Sequence, residues 1–233
     1  MVYGKLYLIP NNLGNLSTNF SIESQISVIE NIDHFIFENE KPGRALIKNI
    51  LPSKEQSKLE VYTLNKHSLK EEKNNLLKPC LNGIDMGLIS DAGCPAIADP
   101  GSEIVKKAHS LDIKVVPFVG PSSIFMALMS SGMNGQNFAF NGYLPINNKE
   151  QIKKIKQLES LSKKTGQTQI FMETPYRNNK LLKTLTNVCG NNTMLCVASN
   201  ITQQNESIIT KSISEWKTMK INIDKQPSIF LIS

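Results

Sequence analysis

The chain has little arginine, little cysteine and no long apolar run, and each shortage excludes something. Of its 26 basic residues only Arg44 and Arg177 are arginine, the rest being lysine. With heavy Asn and Ile usage beside it, this points to a coding bias toward lysine wherever a plain positive charge suffices. A retained arginine then marks a place that wants a planar, two-pronged donor, so both positions are candidates for carboxylate or phosphate contacts. The four cysteines, Cys80, Cys94, Cys189 and Cys196, lie far apart with no CxxC, and only three histidines accompany them. A zinc site or disulfide framework is therefore not expected. No stretch approaches the ~18 apolar residues that span a bilayer, and the run from Leu6 to Pro10 is too short for a signal peptide. The expectation is a cytoplasmic protein with no membrane partner.

What is present is ordinary for a globular protein: 233 residues, 40% hydrophobic and 20% charged. That is ample chain for a core, in one large domain or two small ones, and disordered or fibrous classes are excluded. The charge is uneven. Residues 1–118 carry 13 basic and 14 acidic side chains, whereas residues 119–233 carry 13 and 6, giving −1 and +7. Six lysines fall between Lys149 and Lys164, against only Glu150 and Glu159. A polyanion such as RNA would meet that half first, although a solvated helix face has the same composition.

Short β-rich apolar runs alternate with helix-length segments, the pattern of an α/β protein with a largely parallel sheet. Strands are expected near Lys5–Ile9, His34–Phe37, Leu59–Leu64, Met86–Ile89 and Ile113–Phe118, with helices near Ile22–Glu30, Arg44–Ile50, Ser68–Cys80 and Ser102–Ser110. After an apolar helix running to Ser131, further strands are expected near Asn137–Phe140, Gln169–Glu173, Thr193–Ala198, Ser207–Lys211 and Ser228–Ile232. Helices there include Lys149–Lys163, with Ile152, Ile155, Leu158 and Leu161 as its apolar side, and Asn178–Val188. Two α/β domains, 1–118 and 119–233, follow. His34, inside an apolar strand, reads as a hydrogen-bonded core residue.

Ligands of open α/β sheets bind outside the carboxyl ends of the strands, so the loops there are searched first. The loop Pro10-Asn11-Asn12-Leu13-Gly14-Asn15 lacks the GxGxxG spacing of a dinucleotide site. The loop Ser90-Asp91-Ala92-Gly93-Cys94-Pro95, continuing to Asp99-Pro100-Gly101, lets a ligand approach its backbone closely. Its two aspartates would repel a polyphosphate, which favours a neutral or cationic ligand; alternatively Asp99 only caps a helix. Gly120-Pro121-Ser122-Ser123 offers hydroxyls and backbone donors at a helix start, or merely an N-cap. Glu173-Thr174-Pro175-Tyr176-Arg177 sets an acid and one of the two arginines four residues apart, as an internal ion pair or as ligand contacts.

These loops, in this order, resemble the tetrapyrrole methylase superfamily of S-adenosylmethionine-dependent methyltransferases. Within it the chain is most similar to the branch that methylates a ribose 2′-hydroxyl of a cytidine in small-subunit ribosomal RNA. The resemblance is carried by Leu88 to Pro95 with Ala98 to Gly101, Val116-Pro117 through Gly120-Pro121-Ser122, Gly142 to Pro145, Glu173 to Arg177, and Val197-Ala198 with Thr202. It implies two α/β domains with S-adenosylmethionine in a cleft between them, a homodimer, and RNA or the small ribosomal subunit as partner. It also implies cofactor contacts from Pro10, Ser90, Asp91, Ala92, Ser122, Ser123, Met172, Ala198 and Pro227. The branch departs from this chain where it has Glu-Asp-Thr-Arg against Glu38-Asn39-Glu40-Lys41 here, and Thr-Pro against Asn11-Asn12. No metal is called for. A weakly nucleophilic hydroxyl would use a general base, for which Glu38, Glu40 and Glu173 are the carboxylates at hand, with Arg177 beside the last. The alternatives are a small-molecule acceptor such as a tetrapyrrole, or a protein that binds the donor without turnover.

Overall fold

A computed structural model of the chain describes residues 2–14, 23–64 and 75–233. It divides into two compact units, Met1–Ser122 and Ser123–Ser233.

The first unit is built on a five-stranded sheet: β1 (Leu6–Ile9), β2 (His34–Phe37), β3 (Glu60–Thr63), β4 (Met86–Ile89) and β5 (Val115–Pro117). Their spatial order is β3-β2-β4-β1-β5, and every pairing is parallel. Parallel neighbours need crossover connections, and the helices described here serve as some of them: α1 (Glu23–Asn31), α2 (Glu40–Ile50), the short α3 (Lys78–Leu81) and α4 (Gly101–Ser110). With both faces covered, the central strands read as unbroken apolar runs. Leu6, Ile36, Met86 and Leu88 pack on one face, and Tyr7, Ile9, Phe35, Phe37 and Ile89 on the other. Because all five strands run the same way, the loops after β1, β2, β4 and β5 emerge on a single rim.

Two expectations change here, and a third is largely untested. Most of the helix expected over Ser68–Cys80 lies outside the described residues, which show only its last turn and α3. The helix expected from Arg44 begins at Glu40, so Pro42 and Gly43 sit in its first turns rather than ahead of it. Proline is tolerated there because a first-turn N–H has no helical partner in any case. Gly43 is needed: a Cβ would fall 2.3 Å from the Phe37 ring, and the missing side chain lets α2 lie flat on β2. His34 is only half-buried, its Nδ1 3.1 Å from the Tyr62 hydroxyl.

The second unit contains α5 (Ser123–Ser131), β6 (Phe138–Tyr143), α6 (Asn148–Thr165), β7 (Thr168–Met172), α7 (Asn178–Val188), β8 (Met194–Ser199), β9 (Ser207–Ser212), α8 (Ile213–Trp216) and β10 (Ser228–Ile232). Its sheet runs β6-β7-β10-β8-β9, and only the β6–β7 pair is parallel. The expectation of a largely parallel sheet fails in this half for a topological reason. The connection from β8 to β9 has no helix and turns straight back, while β10 enters between β7 and β8 against the direction of both. One core, holding Phe171, Phe230, Ile155, Leu158, Leu185 and Trp216, lies between this sheet and the pair α6 and α7.

All four cysteines are free thiols. Burial pushes Cys80 and Cys189 up to about 12, which leaves them inert as nucleophiles. No described helix is long and apolar enough to cross a membrane.

Candidate functional site

The rim of the first unit is a set of interlocked loops. Asn11 and Gly93 exchange backbone hydrogen bonds of 2.9 and 3.0 Å, joining the loop after β1 to the loop after β4. The Asn11 side chain, buried at 6% exposure, donates to the carbonyls of Ser90 and Asp91. The loop after β5 packs against both others: a Cβ on Gly120 would meet Pro10 at 2.3 Å, and the Cys94 thiol donates to the Pro121 carbonyl. Ser90 donates its hydroxyl to the Gly93 carbonyl at 2.8 Å and so closes its own turn.

Asp99 braces the far side of this loop, accepting from the N–H of Ala96 and of Gly101 at the start of α4. Burial, followed by the nearby Asp91 charge, pushes its carboxyl up, and the two N–H bonds oppose this without cancelling it. Between these bonds Ala96 and Ala98 are held at φ of 68° and 63°, a left-handed conformation that side chains disfavour. The long loop is thus a fixed object, and Asp99 does more than cap a helix.

The second strand brings acidic chemistry to the same rim. Asp91 accepts from Asn39 twice, from the backbone N–H at 3.1 Å and from the side-chain amide at 2.5 Å. Glu38, half-buried, places Oε2 3.5 Å from the Asp91 N–H. Pro10, Glu38, Ser90, Asp91, Ala92 and the chain leading to Ser122 therefore share one neighbourhood. Glu40 turns away along α2, where Arg44 binds it at 2.6 Å and also donates to the Gln56 carbonyl. Beside the rim, between the loop after β1 and α2, lies a cleft of about 400 Å³ bounded by Asn12, Leu13, Pro42, Asn49, Asp91 and Ala92 among others.

In the second unit, Ile229 at the start of β10 pairs with Met172 of β7 on one side and Ala198 of β8 on the other. Met172, Ala198 and, two residues earlier, Pro227 thus cluster at one end of that sheet, while Ser123 opens α5. Glu173 and Arg177 form an ion pair of 2.5 Å; the carboxylate is buried and also accepts from the Thr174 N–H at 2.7 Å. Both arginines therefore contact carboxylates, each from a glutamate four residues before it. Next to Arg177, Asn178 is fully buried and ties this turn to the Gln226 carbonyl.

Asn11 and Asn39 are the site residues that sequence reasoning missed. Each acts on a loop 52 or more positions away, and the only local signal was that both depart from the resembled family's pattern.

Comparisons with known proteins agree with this geometry. The family model for tetrapyrrole (corrin/porphyrin) methylases matches residues 25–217. The ribosomal RNA small subunit methyltransferase I of Buchnera aphidicola subsp. Schizaphis graminum is 33% identical over 212 residues, covering 88% of this chain and 68% of that protein. Its namesakes in Bacillus subtilis (30% identical, 91% and 68% covered) and Vibrio cholerae (27%, 97% and 76%) are similar over comparable spans. Among solved structures, the methyltransferase CobJ superposes with a TM-score of 0.66 at 12% identity, covering 99% of this chain and 94% of that one. The cobalt precorrin-4 methyltransferase CbiF gives 0.64 at 17%, covering 98% and 94%. A parallel sheet with an interlocked loop rim, a second mixed α/β unit and these likenesses lead to one conclusion: the chain belongs to the tetrapyrrole methylase family and is an S-adenosylmethionine-dependent methyltransferase.

Proposed function

We propose that the acceptor of this methyltransferase is RNA of the small ribosomal subunit, modified at the ribose 2′-hydroxyl of a cytidine. The observation that carries this reading is the similarity, across most of the chain, to relatives named as ribosomal RNA small subunit methyltransferases. The +7 balance of residues 119–233 supports it, since a polyanionic acceptor gains from such a field. A tetrapyrrole acceptor is less favoured, because the likeness to corrin methylases is one of fold at 12–17% identity. A cytoplasmic homodimer is part of the same proposal.

The residues present fit the methyl donor. When bound, S-adenosylmethionine supplies a methyl group already activated by a cationic sulfonium, beside an ammonium group and a ribose diol. Asp91 offers a carboxylate with four lone-pair sites, two of them used by Asn39, so acceptor capacity remains for ammonium or hydroxyl donors. The close approach of Gly120 to Pro10 keeps the rim tight, and Ser90, Ala92 and Ser122 are proposed cofactor contacts on it, with Ala92 exposed and Ser90 buried beneath. In the second unit, Met172, Ala198 and Pro227 are proposed cofactor contacts, as is Ser123. Glu38, at the end of β2 and near Asp91, is the carboxylate best placed to take the proton of an acceptor hydroxyl. Glu40 and Glu173 are engaged by Arg44 and Arg177, which leaves Glu40 with a helix-surface role and gives the Glu173–Arg177 pair the role of holding the turn after β7.

Calorimetric titration with S-adenosylmethionine and S-adenosylhomocysteine, followed by labelled-methyl transfer to undermodified small subunits, tests the proposal. Saturable binding is expected, weakened about tenfold to a hundredfold in Asp91→Ala by loss of a charged hydrogen-bond acceptor. Binding without transfer to RNA would overturn the acceptor. Binding untouched by Asp91→Ala would overturn the placement of the donor.

A further inference from the structure

The helix α6 presents two faces of opposite character. Asn147 caps its start by accepting from the N–H of Lys149 and Glu150, and Gly166, at φ 67°, ends it with an N–H bond to the Ser162 carbonyl. Between these caps Gln151, Ile155, Leu158, Glu159 and Ser162 are buried, a stripe at i, i+4, i+7, i+8 and i+11. The opposite side carries Lys149, Lys153, Lys156, Ser160 and Lys164, at i, i+4, i+7, i+11 and i+15. All five are exposed and form one row about 22 Å long at 1.5 Å per residue.

The charges of that row are not neutralised. Among the described residues six ion pairs are formed, by Arg44, Lys54, Lys58, Lys163, Arg177 and Lys211, and none uses a lysine of the row. Lys163 belongs to the buried Glu159, and Lys154 is half-buried to one side. Gln157, Ser160 and the exposed Leu161 lie among the free ammonium groups along a shallow depression. Such a surface offers what a sugar-phosphate backbone can use: cations for phosphates, an amide and a hydroxyl for phosphate or 2′-hydroxyl oxygens, and one apolar contact for a sugar.

We propose that this outward face of α6, centred on Lys153, Lys156 and Lys164, docks a single-stranded or looped segment of the acceptor RNA through its sugar-phosphate backbone. The inference rests on the RNA reading above and assigns it a surface. An anionic membrane would also attract the lysines. On α6 itself it would find a single apolar contact, because Ile155 and Leu158 are spent in the core and of the helix's large apolar residues only Leu161 is exposed.

The test is fluorescence anisotropy of a labelled single-stranded RNA of about 20 nucleotides, titrated with the full chain across a salt series. Each phosphate contact contributes about 0.7 to the slope of log affinity against log salt. The triple variant Lys153→Gln/Lys156→Gln/Lys164→Gln should therefore lower that slope by about 2 and weaken binding at low salt. The control Lys106→Gln/Lys114→Gln, in the first unit, should leave the slope unchanged, and both variants should retain donor affinity as a check on folding. RNA binding with an unchanged slope in the triple variant would overturn the docking face and leave the acceptor standing. Failure of the wild-type chain to bind RNA would overturn both. Equal affinity of the row for poly-L-glutamate would reassign it to an acidic protein.

Discussion

The chain makes the same short-range contact twice, with its only two arginines, and the two copies sit in different surroundings. The two arginines are alike, 30% exposed at Arg44 and 33% at Arg177, and the difference lies in the carboxylates: Glu40 in α2 is 52% exposed, whereas Glu173 after β7 is 1% exposed. The spacing is identical and the consequence is not. An exposed pair at i, i+4 is worth about 0.3–0.5 kcal/mol and fades with salt. A buried carboxylate that loses its cation is left uncompensated, at a cost of about 3–5 kcal/mol. The sequence names the partners in both cases, but only the fold decides what the partnership is worth.

The comparison breaks most visibly at Arg177. Arg177→Ala should destabilise by about 3 kcal/mol in urea unfolding, at the low end of that range because the guanidinium is partly solvated. A loss below about 1 kcal/mol would show that the turn does not depend on the pair. A third glutamate sharpens the contrast. Glu159, in the buried stripe of α6, accepts from the Gly190 N–H, the Thr193 hydroxyl and Lys163. Glu159→Ala should cost about 2 kcal/mol at neutral pH by stranding those donors. Burial pushes this carboxyl up, yet the bonds from Thr193, Lys163 and Gly190 outweigh it and hold the group below its ordinary 4.5. With the folded value lowered, the contribution is present above about 4.5 and is lost as pH falls through the folded value. The gap between wild type and variant should therefore narrow as pH falls below ~4.5, and a constant gap down to low pH would contradict the assignment. The smallest effect is expected for Arg44→Ala, under about 1 kcal/mol and shrinking in salt. A larger loss would mean that the bond to the Gln56 carbonyl, rather than the ion pair, is what Arg44 supplies.

The parts legible beforehand are those encoded in neighbouring residues. The limits of β2, β4, β10 and α7 fall where the apolar runs and periodicity place them. The rim loops were legible because glycine, proline and aspartate concentrate at strand ends for steric reasons. Strand direction in the second sheet was not, since an apolar run is the same read either way and only the length of the connections distinguishes the pairings. The apolar side of α6 was half right. Ile152, Ile155, Leu158 and Leu161 step by three where a helix turns every 3.6, so the row rotates off the core and leaves Leu161 42% exposed. The polar residues of the true stripe, Gln151, Glu159 and Ser162, carry no hydrophobic signal. Asn39 looked like a disruption of the acidic segment after β2. In the structure it supplies both donors to Asp91, where an aspartate at the same position would have set two carboxylates against each other.

The separation of faces on α6 has a consequence for how this surface can change. Substitutions on sides of a helix that share no partners contribute additively to stability. Lysine, glutamine or glutamate can therefore replace one another along the outer row with folding energies that differ by little more than helix propensity, a few tenths of a kcal/mol. If the row docks a polyanion as proposed, its charge pattern can be rewritten in small steps without an accompanying search for stabilising mutations.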